Sequence, residues 1–60
     1  MNFYQIGDIL LHREFNVIMV VDGFAAWKEP DAYACSNIYG MYIFPLRYLK
    51  REFVKIGSLT

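Results

Sequence analysis

The side chains of this chain that could do covalent or metal chemistry are few and poorly accompanied. His12 stands near three carboxylates in sequence, Asp8, Glu14 and Asp22, a set that would suit a metal centre or an acid–base pair. No two of them fall at a spacing that one helix or strand would hold as ligands, so the reading is a histidine ending a strand, with acids in solvated turns. Cys35 and His12 are the one nucleophile–base pair on offer, and such a pair needs a third group to orient the base. Flanked by Ala34 and Ser36, Cys35 reads as a core thiol. Ser58 falls in a tail expected to fray, and no glycine-rich loop precedes a helix to cradle a phosphate. No catalytic residue, metal or cofactor is therefore expected, and the protein is read as not an enzyme.

What remains is aromatic and basic. Tyr39, Tyr42, Phe44 and Tyr48 lie close in sequence to Arg47, Lys50 and Arg51. Tyrosine, tryptophan and arginine are the usual anchors of protein interfaces, and the same residue types would also stack single-stranded bases on a basic face. The plainer alternative is that Phe44 and its alternates are core, Tyr48 packs on a turn and the bases are a solvated rim. Trp27, between Ala26 and Lys28, is either a lid over one end of the fold or a contact anchor.

Sixty residues allow one domain, 1–60, which buries roughly 60% of the surface its unfolded chain exposes and is correspondingly marginal. One cysteine excludes an internal disulfide, and Cys35 with the lone His12 cannot complete a four-ligand zinc site. Counting glycine and leaving out tyrosine, about 55% of the chain is apolar against a usual ~45–50%. Self-association is the support that fits, and a homo-oligomer is expected. The longest apolar run, 17–21, is far short of the ~20 residues of a membrane span. Met1-Asn2-Phe3-Tyr4 lacks the basic start of a signal peptide, so a cytoplasmic protein with a reduced thiol is expected. Charge is zero overall but split: residues 1–31 carry five acids against two bases, and 32–60 carry four bases against Glu52 alone. The zero balance argues against tight binding to phosphate backbones.

The elements that must position these residues read as strands between turn signals. Gly7-Asp8 turns into a strand at 9–12; a four-residue connection leads to 17–21, β-branched at four of five positions and apolar on both faces, hence central. Asp22-Gly23 bulges or ends it. Residues 25–31, with Pro30, are a loop. A strand at 32–36 has small residues on one face, and 37–40 closes a hairpin with Gly40 supplying a left-handed conformation. Residues 41–44 are a fourth strand that Pro45 ends while opening a helical turn. Beyond Leu49 two readings stay open: Leu46, Leu49, Phe53 and Ile56 at helical spacing extend the turn into an amphipathic helix, whereas the β-formers of 53–57 suit a last strand.

Phe44-Pro45-Leu46-Arg47-Tyr48-Leu49 resembles the end of SH3 domains, where an apolar-Pro-x-x-Tyr-apolar run crosses from the fourth strand through a 3₁₀ turn into the fifth. Gly7-Asp8-Ile9-Leu10 resembles the Gly-Asp-apolar-apolar start of a strand in the same fold. The resemblance implies that Pro45 and Tyr48 line a peptide groove with Trp27. The Ala-Leu-Tyr-Asp-Tyr segment and the tryptophan pair of SH3 domains are missing, so the fold is implied and the polyproline specificity is not. Very short barrels of this kind also resemble bacteriophage and prophage accessory proteins, which would place the chain in a host cytoplasm. The expectation is thus a mainly β protein, a small five-stranded SH3-like barrel with one short helical turn near 46–51. It would bind and modulate a larger protein, such as a host or phage enzyme, through Trp27, Tyr39, Tyr42, Arg47, Tyr48, Lys50 and Arg51. The alternatives are a nucleic-acid-binding barrel and a self-assembling structural subunit.

Overall fold

The computed structural model describes residues 3–59; Met1-Asn2, read above against a signal peptide, lies outside them. Five strands and one helix follow in the order β1 (Asp8–His12), β2 (Ile18–Phe24), β3 (Ala32–Asn37), β4 (Gly40–Pro45), α1 (Leu46–Glu52) and β5 (Phe53–Ser58). The protein is mainly β. All pairings are antiparallel, in the spatial order β4-β3-β2-β1-β5, which leaves β4 and β5 as the two edges with α1 packed against both. Where two readings were open after Leu49, the chain takes the strand. α1 stops at Glu52 and Phe53 is already extended at φ −127°, ψ 155°, because Phe53 and Val54 pair with His12 and Leu11 of β1. Pro45 closes β4 and caps α1 without a side-chain bond, while Lys50 and Arg51 in the last turn sit at the negative end of the helix dipole.

One core gathers residues of β1, β2, β3, α1 and β5, Leu10, Met19, Val21, Tyr33, Cys35, Leu49 and Phe53, with Tyr4 laid across the end and the partly buried Phe44 of β4 packed against it. The Tyr33 hydroxyl accepts the backbone N–H groups of Phe3 and Tyr4 at 3.2 and 3.4 Å, which fastens the start of the described chain. The opposite face of β3 is built of small residues, as its sequence indicates. Ala32 and Ala34 there bury Ala25 and part of Ile43, so the 25–31 loop lies close, with the Ala25 N–H donating to the Ala32 carbonyl at 2.9 Å. β2 is central, as its two apolar faces predict, but only Met19 and Val21 are buried. Ile18, on the other face, is half exposed. Asp22 is the extra residue of a bulge, between the Val21↔Cys35 and Gly23↔Ala34 pairs.

Asp8 departs from its sequence reading. Rather than being solvated in a turn, its carboxylate is buried. One oxygen accepts the Gln5 N–H at 2.9 Å and the other lies 3.3 Å from the Lys55 ammonium on β5, so Asp8 ties the entry turn to the last strand. Asp8→Ala leaves that N–H and that ammonium without their acceptor. We expect a loss of about 2–3 kcal/mol, moderated by the half-exposed lysine. Asp8→Asn, which retains an acceptor for Gln5, should lose about 1 kcal/mol. Urea denaturation of the two variants checks the ranking, and equal losses would contradict it.

Candidate protein-binding groove

The aromatic residues of the last two strands and the helix meet the connection between β1 and β2 across a groove of about 400 Å³. Its walls are His12, Phe15, Val17, Met19, Asn37, Tyr39, Tyr42, Phe44, Tyr48 and Phe53. The β pleat explains half of it: Tyr42 and Phe44 are two apart on β4 and point to one face, where their rings stack at 6.0 Å and 8°. α1 explains the next step, since its third residue, Tyr48, continues the row over Phe44 at 4.7 Å and 23°. Phe53, at the start of β5, closes the row beneath both rings and meets His12 edge-on at 5.0 Å.

The other wall depends on His12. Its Nδ1 accepts the N–H groups of Glu14 and Phe15 at 3.1 and 3.2 Å, a tautomer that leaves Nε2–H directed at Glu52 Oε1, 3.6 Å away. The bent connection carries Phe15 back over the imidazole at 5.0 Å, with the phenyl ring mostly exposed. His12 is therefore a structural pin, consistent with its reading as a strand-end residue, although Glu14 and Asp22 stand in solvent and do not join it. Among the described residues no three His, Cys, Asp or Glu groups are placed to hold a metal ion. At the far end, Asn37 fixes the β3–β4 hairpin: its Oδ1 accepts the Tyr39 N–H at 2.9 Å and its Nδ2 donates to the Met19 sulfur at 3.0 Å. Gly40 completes the turn with φ 153°, a value L side chains rarely adopt.

Of the residues singled out in the sequence, the groove unites Tyr39, Tyr42 and Tyr48. Arg51 borders it, its guanidinium 5.7 Å over the Tyr48 ring. Arg47 and Lys50 lie on the adjoining side of α1, around a shallow depression shared with Asp31, Leu46 and Arg51. The basic group is largely neutralised there. Arg47 pairs with Glu29 at 3.7 Å, Arg51 with Glu52 at 2.8 Å, and Lys50 sits 4.2 Å over the Phe3 ring. Trp27 and Pro45 are not among the walls, against the resemblance's implication. Trp27 stands in the 25–31 loop at 75% exposure, which removes the lid reading and leaves a separate exposed ring. Pro45 is spent pairing with Ala32. The residues that sequence reasoning missed are Phe15, Val17, Met19, Asn37 and Phe53. Phe15 alone carried a signal, a phenylalanine in a short connection otherwise of polar residues.

Cys35 is fully buried, and burial first, with the Asp22 charge second, pushes its thiol up to about 11. Tyr4 is likewise raised, by burial first and Tyr33 second. Because both groups prefer their neutral forms when folded, their contribution is complete below the ordinary thiol range. It is lost as pH rises through the folded-state values, so the Cys35 part of the stability should fall between about pH 9 and 11, while the Tyr4 part persists above the ordinary tyrosine range. At pH 8, labelling of Cys35 by a disulfide reagent should run about two orders of magnitude slower than that of free cysteine, from thiolate fraction alone. Rapid labelling of the folded protein would contradict that placement.

No protein-family model, curated protein or solved structure matches this chain. No helix among the described residues is long and apolar enough to cross a membrane.

Proposed function

We propose that this protein is a non-enzymatic protein-binding module, SH3-like in build, that takes an apolar or aromatic segment of a larger protein into the groove between Phe15 and the Tyr42-Phe44-Tyr48 row. The observation that carries the reading is the continuous aromatic row, fed by β4, α1 and β5 and faced by an exposed Phe15. Aromatic surface that is rigid and half wet binds at low entropic cost. The SH3-like reading is supported by the crossing itself. Phe44 and Pro45 leave β4, Tyr48 turns into the groove from α1, and Phe53 opens β5. α1 is a full seven-residue α-helix where that resemblance implies a 3₁₀ turn. A phage-encoded protein acting on a host or phage enzyme in the host cytoplasm is the setting the resemblance suggests.

The bases distinguish this reading from a nucleic-acid barrel. Three of the four in the C-terminal half have carboxylate partners, Glu29, Glu52 and Asp8, which leaves little free charge for phosphates. Charge reversal at Arg47, Lys50 and Arg51 together should therefore slow association with a protein partner while barely changing its dissociation. Binding of short single-stranded or duplex oligonucleotides at physiological salt should be undetectable. Interferometry against a partner captured by a photo-cross-linking side chain at Tyr39 measures the first, and fluorescence anisotropy the second. Tight oligonucleotide binding with a log–log salt slope approaching about −4, lost with the three bases, would replace the proposal with the nucleic-acid reading.

A further inference from the structure

We propose that β4 is a self-pairing edge: two copies of this chain join antiparallel along β4, about a twofold axis through Tyr42, into one continuous ten-stranded sheet. The pairing needs no groove ligand and stands or falls apart from the function proposed above. Its first support is the ladder. The hairpin makes Asn37↔Gly40 a mutually bonded pair, so the alternation of an antiparallel ladder bonds Tyr42 and Phe44 to β3 and turns the amides of Met41 and Ile43 outward. Among the described residues, β4 pairs with no strand but β3. Opposing Tyr42 to its own copy brings Met41 opposite the partner's Ile43 and the reverse. Those outward amides then close four N–H···O=C bonds with none left over at the centre.

The second support is the contrast between the two edges. β5 carries the devices that blunt an edge, a lysine at Lys55 and a bulge in which Ile56 is the extra residue. β4 carries neither; its proline, Pro45, stands at the last position of the strand, outside the 41–43 span that would pair, and no charged residue lies between Asp31 and Arg47. A twofold pairing therefore sets no like charges against each other. Ile38, Tyr39 and Met41 are 90, 81 and 71% exposed around that edge, beside half-exposed Tyr42. A second copy is the occupant that meets this edge with its own uncharged apolar strip at every position. The two Tyr42 rings meet at the axis on the groove face, so the dimer sets two grooves side by side.

The register makes the test specific. Tyr42 is the one residue opposite itself, at a non-bonded position whose close Cα spacing admits a disulfide. Tyr42→Cys should give a covalent dimer in high yield under mild oxidation, whereas Met41→Cys, two positions out of register with its own copy, should give little. Buried Cys35 does not compete. Tyr42→Lys, which sets two ammonium groups face to face, should raise the dimer dissociation constant by at least about tenfold in sedimentation equilibrium, with an unchanged far-UV spectrum showing that the strand still folds. A wild-type chain that stays monomeric to about 100 µM would overturn the proposal, the scale at which so small an interface should register. So would cross-linking through Met41→Cys in preference to Tyr42→Cys.

Discussion

Leu49→Ala is expected to lower stability by about 3–4 kcal/mol, enough to leave the protein largely unfolded at room temperature. Leu49 is fully buried and is the one buried residue of α1. A seven-residue helix has no stability of its own, because too few hydrogen bonds follow its costly nucleus. Its docking rests on Leu49, with Leu46 and Tyr48 packed at the side. A truncated side chain leaves a cavity at the junction of helix and sheet, and a domain of this size holds only a few kcal/mol in reserve. Urea unfolding followed by circular dichroism measures the loss. A variant within about 1 kcal/mol of wild type would mean that α1 is held by something other than Leu49.

Tyr48→Ala is expected to weaken binding of a protein partner by at least about thirtyfold, chiefly through faster dissociation. Tyr48 stacks on Phe44 and carries the Arg51 guanidinium, so its removal ends the stacked row at Phe44 and takes the ring from beneath that guanidinium. Tyr48 also touches the core, and for that reason Phe15→Ala is the companion variant. Phe15 is 63% exposed, so its loss should leave stability nearly intact while weakening binding about tenfold. Trp27→Ala should change the same binding by less than about twofold, because its ring lies outside the groove. An effect of Trp27→Ala larger than that of Phe15→Ala would move the interface to the 25–31 loop.

The fold was largely legible because its signals are local. The β-branched run of the second strand, the small residues of the third, the Asn37–Gly40 turn and Pro45 each fix an element by steric or hydrogen-bonding rules that operate within a few residues. The stretch after Leu49 was ambiguous because Leu46, Leu49 and Phe53 satisfy a helical period. The decision came from pairing with β1, more than forty residues away in sequence, which no local rule contains. The site was half legible for the same reason. Tyr42, Phe44 and Tyr48 are gathered by strand alternation and one helical turn, so sequence proximity found them. Phe15, Met19 and Asn37 reach the groove only through the sheet's curl and the two hydrogen bonds that His12 accepts, and Trp27 was grouped with them on residue type alone. Asp8 was read as a turn acid because its partner, Lys55, lies at the other end of the chain.

The most direct test of the groove as a protein-binding site is a two-dimensional ¹H–¹⁵N spectrum of the labelled protein, titrated with a peptide selected from a random library displayed against it. The account predicts that the amide shifts concentrate at His12, Phe15, Val17, Asn37, Tyr39, Tyr42, Phe44 and Tyr48, and that Phe15→Ala needs about tenfold more peptide for the same response. Shifts that spare these residues and gather at Trp27 or along Arg47, Lys50 and Arg51 would contradict it.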